Sequence, residues 1–296
     1  MFKYIFFIFS FFVVLSSCSV ENVAENEQAN DEAEIQNYIT QNKLVNMLKT
    51  ADGMYYSIKP SGVTKKAVTS DLVTLNYKLY LLDGTLIDST NSVNKQFKSI
   101  VYEVSSSVFN PIIKLMREGD KGTFLLPSSL AYGASSFGNV PAYSVLRAEV
   151  EVISIRTETE QITDMKTLYG FTNPETTSSG MVFQKLTEST STTETTIGTA
   201  KTVTVRYLGR LGYGAVKLDA STNRLVFDSK FGEGEFTFIT GTSQVIKGFE
   251  EAVLKLKLNE KAKIILPSSL AYGANGNTTI PGYSPLYFEI EVVFVR

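Results

Sequence analysis

The end of the chain alternates with period two. In PLYFEIEVVFVR, Leu286, Phe288, Ile290, Val292 and Phe294 fall on one face, with Glu289 and Glu291 on the other. Side chains of a strand point to opposite faces in turn, so this stretch predicts a half-buried β-strand with all five apolar residues inward. VLRAEVEVISI, 140 residues earlier, keeps the alternation with smaller residues. Between strands lies one helical period, GFEEAVLKLKL: Phe249, Val253 and Leu256 share a face. Glu250 and Glu251 suit the start of that helix and Lys255 and Lys257 its end, where each charge opposes the helix dipole. A looser helical period over Glu34 to Lys49, carried by Ile35, Tyr38, Ile39, Val45 and Leu48, predicts a helical segment at 34–52.

The pattern recurs. LPSSLAYGA stands at Leu126–Ala134 and again at Leu266–Ala274, 140 residues apart. LIDST at Leu86 parallels VFDSK at Val226 with the same offset, whereas VTLNYKL at Val73 and VTVRYLG at Val203 are 130 apart. Two copies with one ten-residue insertion between Leu211 and Phe227 account for both offsets, and Gly212, Gly214 and DASTN make that insertion a lengthened hairpin. A period this long indicates duplicated domains. The fold class expected is α+β: two tandem domains, each an antiparallel β-sheet with one short α-helix, at 53–156 and 179–296. The polar stretch 157–178 reads as a linker between them, and TESTSTTETT as a loop after the first strand of the second copy.

Composition narrows the chemistry. The net charge is −2 over 296 residues with no basic stripe, which argues against a nucleic-acid partner. With no histidine and a single cysteine, Cys18, the usual triads, zinc sites and disulfides are out of reach, and neither metal nor cofactor is expected. Lys3 followed by an apolar run of about a dozen residues, Tyr4 to Leu15, is too short for a membrane span of about 20 and fits a secretory signal. Leu15-Ser16-Ser17-Cys18 resembles the lipobox of bacterial lipoproteins. The resemblance implies loss of 1–17 and lipid on the Cys18 thiol. The place implied is the cell envelope, at an outer membrane facing the periplasm or at the cell surface. SVENVAENEQANDEAE follows, acidic and without a basic residue, so 18–33 reads as a solvated tether.

The second copy holds, in order, VRYLGRL, FDS, FTFITG, QVIKGFEEAV, LAYGANG and IPGYSPLYFEIEV. Together these resemble the FKBP-type peptidyl-prolyl cis/trans isomerases over a whole domain. The resemblance implies an apolar cup walled by Tyr207, Phe227, Phe236, Ile280 and Phe288, rimmed by Val245 and Ile246, and floored by Phe249. It further implies a carboxylate at the edge from Asp228, and a hydroxyl there from Tyr272. The family commonly has tryptophan at the floor; Phe249 is smaller. LAYGA then becomes a turn that presents a tyrosine at the cup mouth, with Gly133 or Gly273 allowing the bend.

The first copy keeps Tyr77, Asp88 and Tyr132 but has Ile87 before the aspartate and Ala148 in place of Phe288. An ungapped offset of 140 places Ser105 and Ser106 at the rim and Phe109 at the floor; a register shifted by three places Val108 at the rim instead. This second site reads as degenerate. The implied activity is prolyl isomerisation in the second domain, assisting protein folding, with proline-containing polypeptides as clients and macrolide-type inhibitors as further ligands. A non-catalytic peptide-binding or chaperone-like lipoprotein that reuses the fold is the rival reading.

Overall fold

The computed structural model describes residues 20–90, 97–104, 106–189, 196–212, 226–230 and 234–296; the side chains of 20–24, 226, 227 and 229 lie outside that description. Cys18, the secretory segment and the hairpin insertion fall outside it too. Among the described residues no helix is long and apolar enough to cross a membrane.

The first unit runs α1 (Val20–Gln41), β1 (Leu48–Lys49), β2 (Tyr55–Lys59), β3 (Leu72–Leu81), β4 (Leu86–Ser89), β5 (Lys98–Val101), α2 (Asn110–Leu115), β6 (Lys121–Leu126) and β7 (Leu146–Arg156). The second repeats it as α3 (Glu158–Leu168), β8 (Glu175–Thr176), β9 (Val182–Thr187), β10 (Thr202–Leu211), β11 (Val226–Ser229), β12 (Phe236–Ile239), α4 (Lys247–Leu254), β13 (Lys261–Leu266) and β14 (Leu286–Val295). Each unit has one antiparallel sheet, ordered β1-β2-β6-β7-β3-β4 with β5 on β3, and β8-β9-β13-β14-β10-β11 with β12 on β10. The expected α+β architecture stands, with α2 and α4 packed on the inner face of their sheets.

The N-terminal part of α1 and the whole of α3 were not expected. Residues 20–33, expected as tether, are helical within α1, and the expected linker 157–178 contains α3 and β8. Glu, Ala and Gln are good helix formers, and no Gly or Pro interrupts them, so an acidic stretch that cannot build a core of its own is still helical once it has a sheet to lie on. Ile35, with Tyr38 and Ile39, covers Tyr55, Leu125 and Val145 on the outer face of the first sheet. Met165, with Ile162, covers Val182, Ile265 and Tyr287 on the second. The helix predicted over 34–52 ends at Gln41, and Val45 and Leu48 are exposed.

The repeat therefore begins upstream of the predicted boundaries. Met54 bonds Thr50 through both its N–H and C=O, Met181 bonds Thr177 in the same way, and Gly53 and Gly180 both take positive φ. All these pairs are 127 apart.

One strand prediction needs correcting. Leu286, Phe288, Ile290 and Val292 are buried, but Phe294 is exposed. A β-bulge makes Val292 pair with Val205 and Phe294 with Thr204, so the phase flips and Val295 packs inward instead. The β3–β7 pair carries the same irregularity, Thr74 pairing with Ser154 and Leu75 with Val152.

The two units are joined through α3. Thr157 and Glu160 form a reciprocal capping box at its start. Glu160 also pairs with Lys65 of the first unit at 2.6 Å, and Asp164 with Arg156 at 3.1 Å. The Lys65 ammonium, helped by the Thr157 N–H, holds the Glu160 carboxyl down at about 2. Folding favours the charged form, so its contribution is complete above the ordinary carboxylate value near 4.5 and is lost as pH falls through about 2. Acid titration of stability is expected to lose part of its slope between pH 4.5 and 2 in Glu160→Gln; an unchanged slope contradicts this.

Candidate functional site

On the inner face of the second sheet, alternation along three neighbouring strands turns rings toward α4. β10 supplies Tyr207, β12 supplies Phe236 and Phe238, and β14 supplies Phe288. Phe249, in the first turn of α4, meets them from the opposite side. It lies 5.4 Å from Tyr207 and 5.4 Å from Phe288, both edge-on. Tyr207 presents its edge to Phe236 at 6.1 Å and tilts against Phe288 at 6.3 Å. Edge-to-face rings hold one another at defined angles, so the walls are preorganised. Gly248 is what lets α4 start so close to β13. A Cβ there would sit 2.4 Å from a methyl of Leu266.

Phe249, Phe288, Ile280 and Tyr207 are nearly fully buried, whereas Phe236, Val245 and Ile246 are only partly so. Phe227 lies in β11, but its side chain is outside the described residues. Phe238, buried and stacked 5.8 Å from Phe236, backs that wall. It is the second aromatic of FTFITG.

The Tyr207 hydroxyl donates to a carboxylate oxygen of Asp228. Burial, that bond and the negative charge push the phenol well above its usual range. Tyr272, 37% exposed, is also pushed up, by burial first and then by Asp228. Both hydroxyls therefore stay protonated donors. Gly273, at φ +64°, takes the left-handed conformation directly after Tyr272, as the bend requires.

The first unit repeats the polar edge. Tyr77 donates to Asp88, and Phe109 packs on Tyr77 at 4.5 Å, closer than the 5.4 Å between Phe249 and Tyr207. This supports the ungapped offset of 140 at the floor residue, although α2 starts later than α4: Phe109 caps α2 where Ile246 caps α4. The strand follows another register: Lys98 pairs with Leu75 where Phe236 pairs with Val205. Ile87 and Tyr132 pack at the edge of the core. Ala148 faces Phe124 across the sheet, whereas Phe288 faces Ile264. The large ring has moved one strand over. It stacks 6.4 Å from Tyr56 and crowds Gly122, whose absent Cβ would lie 2.7 Å from it. A groove of about 420 Å³ also lies on the outer face of this sheet, lined by Lys59, Lys78, Lys121, Glu149 and Glu151. Lys121 and Glu151 pair there at 3.0 Å, so it is a solvated charged face unlike the cup.

The family model described as FKBP-type peptidyl-prolyl cis-trans isomerase matches residues 63–153 and 193–293, more than half of the chain. Peptidyl-prolyl cis-trans isomerase FKBP10 of Mus musculus is 28% identical over 242 residues, covering 79% of this chain and 36% of that protein. FKBP9 of Homo sapiens is 25% identical over 245 residues, covering 80% and 37%. The chain thus spans little more than a third of the length of these relatives. FKBP15-2 of Arabidopsis thaliana is 38% identical over 97 residues, covering 32% of this chain and 53% of that protein. Among solved structures, FkpA from Escherichia coli is similar at 23% identity with a TM-score of 0.39, covering 46% of this chain and 64% of that one.

Proposed function

The chain belongs to the FKBP-type peptidyl-prolyl cis-trans isomerase family, and from that premise we propose that its second unit catalyses rotation about X–Pro bonds of polypeptide clients. The observation that carries this reading is the cup itself, four rings from three strands and a helix with two protonated tyrosine hydroxyls at its edge.

Rotation of a peptide bond is slow because the twisted form loses amide resonance, a barrier of about 18–20 kcal/mol. At X–Pro the two end states differ by only about 0.5–1 kcal/mol, so the obstacle is kinetic. No bond breaks, so neither nucleophile nor metal is called for. The twisted imide is less polar than the planar one. A dry ring-lined cup therefore favours it relative to water, which is differential binding of the transition state. In this reading the proline ring enters over Phe249. Tyr272 donates to a substrate carbonyl at the mouth, and the Ile246 N–H, at the start of α4 where helix amides lack internal partners, donates to another. Asp228 acts by fixing the Tyr207 ring through its hydroxyl.

The full chain is expected to accelerate cis/trans exchange of a proline peptide, followed by exchange NMR, at a rate that is flat from pH 6 to 8. The chain has no histidine, and both edge tyrosines titrate above their ordinary range. Absence of acceleration rejects the assignment, and a steep change in that window rejects the bond-free mechanism.

The first unit, with Lys98, Ser106 and Ala148 in place of apolar wall and rim, is assigned peptide binding without efficient catalysis. The Tyr132 ring stacked 4.7 Å over an exposed Phe137 gives it an aromatic platform of its own. Attachment to the cell envelope through lipid on Cys18 completes the proposal and rests on the first eighteen residues alone.

A further inference from the structure

The segment LPSSLAYGA is held in both copies by a carboxylate from the helix that opens the unit. In the first, Asp31 accepts from the Ser128 N–H at 2.8 Å and the Ser128 hydroxyl at 2.7 Å. In the second, Glu158 accepts from the Ser268 N–H. Asp31 and Glu158 are 127 residues apart, the offset of the whole helix and hairpin, so the clamp was copied with the fold. Beyond it, each link recurs. The Ser268 carbonyl accepts from Ala271 N–H at 2.9 Å and Gly273 N–H at 2.8 Å, the two amides that bracket Tyr272. The Gly273 carbonyl accepts from Tyr283 N–H at 2.9 Å, three residues beyond Ile280 of the cup wall. Ser128, Ala131, Gly133 and Tyr143 repeat every bond.

We propose that Glu158 is a positioning residue for the cup: by fixing the Ser268 peptide it sets the turn that aims the Tyr272 hydroxyl across the mouth. This rests on the catalytic reading above. It also extends the working unit upstream, because Glu158 lies on α3, outside 179–296. A purely structural carboxylate would affect melting and activity without regard to Tyr272. A positioning one acts through that hydroxyl. Its neighbours on α3 tie to the first unit, so the same helix links that unit to the aim of the tyrosine.

The test is a mutant cycle in the full chain. Glu158→Ala is expected to lower kcat/KM for proline-peptide exchange about three- to tenfold, mostly in kcat, a loss of order 0.6–1.4 kcal/mol. In a Tyr272→Phe background it should cost almost nothing further. Glu158→Gln, whose amide oxygen still accepts the Ser268 N–H, should restore most of the rate. An equal loss in both backgrounds, no loss in either, or no rescue by glutamine overturns the proposal. A second readout needs no turnover: the Tyr272 ring resonances should shift in Glu158→Ala and stay near wild type in Glu158→Gln. If the wild-type chain catalyses no exchange, the functional reading fails. The ring resonances then decide the clamp by themselves, and unmoved resonances overturn it.

Discussion

Replacing Phe236 with alanine is expected to lower kcat/KM for prolyl exchange about 10- to 100-fold while leaving the melting of the second unit close to wild type. Among the cup walls with described side chains this ring is the least buried, stacked on Phe238 behind and edge-on to Tyr207 beside it. It contributes little to the folded core and much to the space a proline would enter. Covering an apolar group of that size contributes about 1.5–3 kcal/mol, which sets the range of the rate loss. Full retention of exchange would place the chemistry elsewhere. A loss matched by a large drop in melting temperature would mean that Phe236 is core and not wall.

Phe249→Ala should do the reverse in its balance of effects. This ring is 4% exposed and touches Tyr207, Phe238 and Phe288. Removing it leaves a cavity under the cup, and buried phenylalanine truncations cost about 3–5 kcal/mol. That is a large share of the stability of a single domain. Denaturant unfolding should show the second unit melting early, with exchange lost in step. Phe109→Ala, the matching change in the first unit, should destabilise that unit comparably and spare most of the exchange activity. Equal loss of exchange from both changes would contradict the assignment of catalysis to the second cup.

The inner half of this molecule is legible in its sequence, because alternation and repeat both report on burial. Phe288, Ile290 and the face Phe249–Val253–Leu256 follow from period alone. The outer half is not. Tyr287 falls on the polar side of its strand by alternation, yet it is buried, because Tyr169 stacks on it at 3.8 Å. Nothing local to β14 reports a helix arriving from elsewhere in the chain. The helix itself is hidden by its polar composition: α3 anchors through Met165, Ile162 and three carboxylates more than through an apolar stripe. A quieter signal was present, since Thr-x-x-Gly-Met occurs at Thr50 and at Thr177, and aligning those would have moved both boundaries upstream. Phe294 was misassigned because a bulge inserts one residue, and a period-two argument cannot register that. For the site, the aromatic set and the Tyr–Asp pairs were visible as residue types in order. The carboxylate clamp was not, because its two ends are 110 residues apart in one copy and 97 in the other.

The spacing between the copies carries a history. It is 127 through the helix and hairpin, 130 at β3 and β10, 140 at the aspartates, 138 at β5 and β12, and 140 from Phe109 onward. The first change falls partly within β9, where a bulge adds a residue between the partners of Lys261 and Ala262, and the last three fall after β10, between the aspartate strand and the next, and before the helix that floors the cup. Since duplication, insertions and deletions have accumulated around the opening while the frame beneath it kept its count. The two halves have drifted apart around their openings, and far less in what keeps them folded.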